Sequence, residues 1–412
     1  MISVRAKTGM PTGEGEHYKF LRDGRVGTHS TYQWPAGSGS QKRLKILDLY
    51  CGFGGLSLGF DLTDAFETSG GIDHFAPAVK TFYANHLCKP KLISRPQDMT
   101  VLKPQAVLDD LGHRPDVIVG GPPCQGFSDA GRRLTDLGDD PRNEHVLHFY
   151  EFVREMRPSV FVMENVSGIL RTGQAQKHDL IDSLVREYEE IGYRVSWRVL
   201  NSSGFRVPQH RKRFLLVGMR GRKGFVFPAP VSSEDAALFA EPALTVQDAL
   251  GDMPSPRVDD PQPYESEPTT PLQRFLRAGS DGLYNHLQTI HSDEMVLRLN
   301  AQDVGTRLYP NWNHSWYRLD PARPSPAVKE NHRAPFVHFA EPRATSPREC
   351  ARLQTVPDGY RFLGTKTAQL IMVGNGVPCV FAAHIATEIA RQGFQKEPNI
   401  PWDAEHNPLL NC

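Results

Sequence analysis

Between Leu44 and Arg220, short apolar runs alternate with amphipathic stretches. KILDLY (45–50) is followed by AVKTFYANHL (78–87), DVIVGG (116–121) by VLHFYEFVREM (146–156), and SVFVMENV (159–166) by LIDSLVREYEEI (180–191). The runs are rich in β-branched residues, and the longer stretches repeat at helical spacing. Such a chain buries both kinds of segment as a sheet covered by helices on its two faces, so an α/β fold with a parallel sheet is expected. WRVLNSS (197–203) and RFLLVGMR (213–220) read as two closing strands.

The rest of the chain divides around this pattern. Residues 1–42 are polar and without period, an N-terminal extension. Residues 43–224 form the first part of the larger domain. From 225 to 342 prolines are frequent and periodicity is weak, which predicts a separate, smaller, loop-rich domain, mostly β or irregular. The larger domain resumes over 343–394. There SPRECARLQ (346–354) begins a helix at a Ser cap followed by Pro. CVFAAHIATEIARQGF (379–394) is a strong amphipathic helix after the turn GNGVP, expected to pack back beside the N-terminal strands. Residues 395–412 are a tail.

Composition excludes several classes. The six cysteines form no CxxC pair, which argues against a zinc site or disulfide framework and for a reducing, cytoplasmic compartment. No metal site is expected. No run approaches the roughly 18 apolar residues of a membrane span, and the N-terminus has no signal-peptide core. Lys+Arg and Asp+Glu both total 47. A nucleic-acid partner therefore requires basic residues gathered on one face.

The stretch VIVGGPPCQGFSDAG (117–131) carries the strongest chemical signal. A buried strand ends at Gly120 and Gly121. Pro122 and Pro123 then fix the backbone before Cys124. The thiol is thus held on a rigid loop at the carboxyl end of a strand, where open α/β sheets bind ligands. A buried structural cysteine is the alternative.

Other groups converge on the same rim. DLYCGFGGLSLGF (48–60) places Asp48 and Tyr50 at a strand end before a turn whose Gly52, Gly54 and Gly55 allow close backbone approach. It is not the dinucleotide fingerprint, because Ser57 stands where the third glycine belongs. Asp73 ends the next apolar run, where nucleotide-binding folds hold a ribose. Asp98 in PQDMT can meet the adenine end. Glu164 and Asn165 follow a strand as Cys124 does, and an acid beside a thiol suggests acid catalysis on a substrate that the thiol attacks. In PQHRKR (208–213), Arg211 and Arg213 share a side by the strand period. Each has a plain structural alternative: a tight turn, a solvated acid, a helix cap or a strand edge.

GFGG, GGPPCQGFS, MENV, QHRKR, RECARLQTVPDGY and GNGVP occur in this order. The series resembles the ordered motifs of the DNA (cytosine-5)-methyltransferases, over about residues 44–220 and 323–392. Tyr50 stands where that family usually has Phe, Cys51 where Ala is common, and Asp73 where Glu is usual.

The resemblance implies a Rossmann-like methyltransferase fold that uses S-adenosylmethionine. It implies Cys124 as the nucleophile on cytosine C6 and Glu164 as the group that binds and protonates N3. Arg213 is similar to the arginine on the O2 side, with Arg211, Gln209 and Asn165 as supports. Asp48, Tyr50, Gly52, Gly55, Asp73, Asp98, Met99, Asn375 and Val377 match positions around the cofactor. Residues 225–342 then become a target-recognition domain. Within it YPNWNHSWYRLD (309–320) offers Arg318, Asn313 and His314 to bases, or else a mini-core of Trp312, Trp316 and Tyr317. The implied partner is double-stranded DNA, read by a monomer, and a cognate restriction endonuclease acting separately can accompany it. No regulatory module is visible, which favours a stand-alone prokaryotic-type enzyme. Two competing readings are a tRNA cytosine-5 methyltransferase of the same fold and a non-catalytic DNA-binding homologue. The form CQGFS and the long segment after QHRKR speak against the first, and the intact Cys124 and Glu164 against the second.

Overall fold

The computed structural model describes residues 43–393, apart from 64, 87, 89, 124–143, 172–179, 222, 235–240, 259, 310–315 and 330–335. The extension, the tail, Cys124 and the Trp312–Asn313–His314 part of the recognition cluster lie outside the described residues.

The first half runs β1 (Leu44–Leu49), α1 (Gly55–Asp61), β2 (Phe66–Ile72), α2 (Ala76–Asn85), α3 (Pro104–Leu111), β3 (Val117–Gly120), α4 (Glu144–Met156), β4 (Val160–Val166), α5 (Leu180–Glu190), β5 (Tyr193–Asn201) and β6 (Lys212–Arg220). The six strands form one sheet in the order β2-β1-β3-β4-β6-β5. Pairings among β1 to β4 are parallel, but β6 is antiparallel to both β4 and β5. The expected parallel sheet is therefore mixed. Connection length explains this: parallel neighbours need a crossover of a dozen or more residues. Only residues 202–211, a 3-10 turn and a short loop, separate β5 from β6, so the chain must reverse.

Strand alternation divides the core between the two faces. Ile46, Val117, Val119, Val160, Val162, Leu215 and Val217 pack with α1 and the C-terminal helix. Leu47, Leu49, Ile118, Phe161 and Met163 pack with α4 and α5. Asp48, on the Ile46 face, is carried into an apolar layer with 1% of its surface exposed.

Beyond β6 come α6 (Val246–Leu250), α7 (Pro271–Arg277), α8 (Asp293–Asn300), α9 (Pro347–Leu353), α10 (Lys366–Asn375) and α11 (Cys379–Gln392). The region expected to be mostly β or irregular holds three helices, and among its described residues only isolated bridges pair in β fashion. Thr245 and Thr270 start α6 and α7 with capping boxes, short signals that five- to seven-residue helices leave easy to overlook. Its apolar residues Phe225, Val246, Leu272, Phe275 and Leu319 join the core on the Ile46 face of the sheet. Residues 225–342 and the sheet thus share one core. Ser346 caps α9 as expected, again with a capping box.

Helix α11 packs against α1, the helix after β1, in the core that covers the Ile46 face of the sheet. A side-chain carbon built on Gly59 would stand 2.4 Å from Ala382 Cβ. The stretch Lys366–Gln392 has the length and composition of a membrane span, but 67% of its apolar window is buried inside the protein, as in core helices.

Candidate active site

The carboxyl ends of β1 to β4 open on one edge of the sheet, and the reversal of β6 brings its amino end to that edge. Arg213 is opposite Val166 in the β4–β6 register. Its side chain therefore meets Glu164 as a same-face diagonal neighbour. Arg213 Nε stands 2.6 Å from Glu164 Oε1, with the two side chains 12% and 10% exposed. The other carboxylate oxygen, Oε2, lies over Gly121, 3.0 Å from where a Cβ would sit. Any larger residue at 121 would press on that oxygen.

Asn165 turns the other way. Its amide donates to the carbonyl of Pro122 at 3.1 Å, fixing the diproline segment that leads to Cys124. The other four cysteines within residues 43–393 are poor nucleophiles. Burial pushes the Cys88, Cys350 and Cys379 thiols up to about 12 and Cys51 well above its usual value.

Gln209 and Arg211 work inward. Gln209 accepts from the Val328 N–H at 3.0 Å and donates to the Leu353 carbonyl at 3.2 Å. Arg211 donates to the carbonyls of Val328 at 2.5 Å and Gly374 at 2.7 Å. Burial first, and then the like charge of Arg213, bring its guanidinium down to about 9, still charged at neutral pH. These two residues strap the Val328 segment and the GNGVP turn to the entrance of β6, and neither carries its polar end to the rim.

The glycine-rich turn follows β1. Tyr50 has φ 59, and its hydroxyl donates to the His145 carbonyl at 3.0 Å. Gly52 has φ 55, and a Cβ built there meets nothing within 4 Å, so the turn is open on that side. Asp73 accepts from the N–H of Gly52 at 2.9 Å and of Phe75 at 2.8 Å. A Cβ on Gly55 would fall 2.3 Å from the Val377 carbonyl, and one on Gly376 2.0 Å from the Phe53 ring. The GFGG and GNGVP turns therefore touch, with Asn375 exposed between them. Met99 is buried beside the exposed Asp98. Asp98 accepts from the N–H and hydroxyl of Thr100, at 2.9 and 2.7 Å. The preceding Gln97 donates its N–H to the Asp73 carbonyl, which keeps this loop beside the rim.

Asp48 does not reach the open side. It lies beneath the turn and accepts from Ser57 Oγ at 2.6 Å. The sequence singled out Ser57 only as a break in a fingerprint, although its place on the buried face of α1 supplies this partner. Burial raises the Asp48 carboxyl from 3.8 to about 7. The native state then binds a proton that the unfolded chain releases above pH 4. Stability should fall as pH rises from about 4 to 7 and level off above that. Asp48→Asn removes this slope. Urea unfolding at pH 5 and 7.5 should show the variant gaining on wild type by about 2 kcal/mol between the two. Parallel curves would refute the assignment.

Arg318 was expected to face bases, and the structure corrects this. It is 7% exposed and donates to the carbonyls of Phe339, Leu299 and Gln302. A guanidinium can satisfy several carbonyls that a loop-rich segment leaves unpaired. Tyr317 packs against Phe336 and Trp316 against His291, so the described part of the cluster has the mini-core character.

Residues 44–391 match the family model of C-5 cytosine-specific DNA methylases. The Type II methyltransferase M1.HphI of Haemophilus parahaemolyticus is 32% identical over 361 residues, covering 84% of this chain and 87% of its own length. M.AgeI of Thalassovita gelatinovora is 29% identical, covering 84% and 99%. Among solved structures, a prophage-encoded E. coli protein assigned as a DNA modification methyltransferase superimposes with a TM-score of 0.66 at 23% identity, over 84% of this chain and 99% of its own. That likeness concerns the fold.

Proposed function

The chain belongs to the C-5 cytosine-specific DNA methylase family, and from that premise we propose that it transfers a methyl group from S-adenosylmethionine to C5 of a cytosine flipped out of duplex DNA, through a covalent Cys124–C6 bond. The observation that carries this reading is the Glu164–Arg213 pair on the sheet edge, over Gly121 and beside the diproline segment that leads to Cys124.

The turn fits the cofactor. Gly52 leaves open space, Asp73 is an acid at the end of β2, and Met99 supplies an apolar wall. Asp73 would hold the ribose, with Tyr50, Asp98, Met99, Asn375 and Val377 around the rest. When bound, S-adenosylmethionine supplies an electrophilic methyl group.

The protein's own groups make C5 reactive. Cytosine C5 is a weak nucleophile. The Cys124 thiolate adds to C6 while Glu164 delivers a proton to N3, and the ring electrons move to C5. C5 takes the methyl and then loses its proton to a base from solvent, while the N3 proton returns to Glu164. The C6–S bond breaks, its electrons leave with sulfur as thiolate, and the C5–C6 double bond returns. Arg213 orients Glu164 and faces the O2 side. Flipping the base costs a few kcal/mol of unstacking. The fixed φ of Pro122 and Pro123 restricts the chain that leads to the thiol, and in such a reaction a small displacement of the nucleophile costs rate.

Asp73→Ala should weaken cofactor binding with little loss of chemistry at saturation. Removing charge-assisted hydrogen bonds costs about 1.5–3 kcal/mol. Calorimetry giving an unchanged affinity would make Asp73 a structural acid only.

Residues 225–342 are read as the target-recognition part of a monomer that acts on cytoplasmic DNA, with any restriction endonuclease acting separately. Labelled methyl transfer to duplex DNA and to tRNA tests the whole reading. Transfer to DNA at a fixed site, located by bisulfite sequencing, is expected. Transfer to tRNA alone, or to neither, would overturn it.

A further inference from the structure

Behind the glycine-rich turn lies a chain of polar groups that the proposed reaction does not use. Asp61, at the end of α1, accepts from the N–H and hydroxyl of Thr68 through Oδ1, at 2.8 and 2.9 Å. Its Oδ2 lies 3.1 Å from His86 Nδ1. The His86 ring stacks on Phe82 with centroids 4.2 Å apart, and its Nε2 stands 3.5 Å from the Tyr360 hydroxyl. That hydroxyl donates to the carbonyl of Phe53, in the middle of the turn. His86 and Tyr360 are both buried.

Three distant parts of the sequence thus join in a chain that ends, through Tyr360, on one carbonyl. Gly54 makes the approach possible, since a Cβ there would stand 2.6 Å from His86 Nε2. A turn built on Gly52, Gly54 and Gly55 pays a large conformational entropy to order itself. Order present before binding removes that cost from the binding step. We propose that Asp61, His86 and Tyr360 are positioning residues that hold the Phe53 peptide so that the Gly52–Phe53 backbone meets S-adenosylmethionine in its binding shape. The proposal rests on the cofactor reading above.

Tyr360→Phe keeps the ring, which contacts Phe53 and Phe362, and loses only the donor. Calorimetry should show S-adenosylmethionine binding weakened roughly three- to tenfold. The kcat at saturating cofactor and the affinity for DNA should stay near wild type. Amide exchange at Gly52–Gly55 should quicken in the unliganded variant. His86→Gln, which can still bond on both sides, should lose less affinity than His86→Ala. Wild-type binding with an unchanged Tyr360→Phe variant overturns the proposal alone, and so does a fall in kcat without a change in affinity. A wild type that does not bind S-adenosylmethionine overturns the cofactor reading itself, and the proposal with it.

Discussion

Cys124→Ser should abolish methyl transfer to DNA, a loss on the order of 10³-fold or more, while S-adenosylmethionine binding stays nearly intact. A thiol is a few per cent ionised at neutral pH and strongly nucleophilic, whereas a serine hydroxyl is neither without an activating base. The cofactor turn is built from other residues, so its affinity is an internal control for folding. DNA carrying 5-fluorocytosine should trap the wild type as a denaturation-resistant adduct, because fluorine cannot leave as a proton does. The serine variant should form none. Active methylation with no trapped adduct would rule out the covalent route, and a fully active serine variant would remove Cys124 from the mechanism. Among the described residues no cysteine could substitute, since burial holds all four thiols in their neutral form.

The second large effect concerns stability. Arg352 in RECARLQ is completely buried. It pairs with Asp252 at 2.5 Å and Asp358 at 2.6 Å, and donates to the Ala249 carbonyl at 2.9 Å. Burial opposes its charge, but the two carboxylates raise the guanidinium well above its ordinary value. Arg352→Met takes the guanidinium from both buried acids, leaving Asp252 to Arg277 and Asp358 to the Tyr264 hydroxyl. Breaking one side of such a cluster costs about 3–5 kcal/mol, a large share of the roughly 5–15 kcal/mol that holds a protein folded. Arg352 lies on α9, Asp252 just after α6 and Asp358 beyond α9, so the loss should loosen α6 from α9. Urea unfolding at pH 7 measures it. Arg352→Lys should recover little, because an ammonium cannot reproduce the planar fork that reaches two carboxylates. A change below about 1 kcal/mol would show that the remaining partners, Arg277 on Asp252 and the Tyr264 hydroxyl on Asp358, are enough to hold the two acids.

The candidate site residues stand out in the sequence because the pattern that marks them is local. Two glycines, two prolines and a cysteine describe a stiff loop wherever they fold, and an acid after a β-branched run stands at a strand end. The α/β alternation follows from the same local rule, since strand and helix periods are set by the backbone. Helix α9 was equally legible through its Ser346 cap. The short helices of the recognition segment were not, because they stand through a shared core rather than through their own periodicity.

What the tertiary structure decided are the pairings between distant segments. Whether a short connection reverses the chain depends on which strands finally lie side by side, and the reversal of β6 is what puts Arg213 on Glu164. The tasks of Asp48 and Arg318 were decided in the same way. One lies on the core face of β1, beneath a helix that supplies Ser57, and the other among carbonyls from two separate segments, the end of α8 and the loop at Phe339. A residue's type limits what chemistry it can do. Whether it meets substrate, cofactor or only its own backbone depends on burial and partners that exist once the chain has packed.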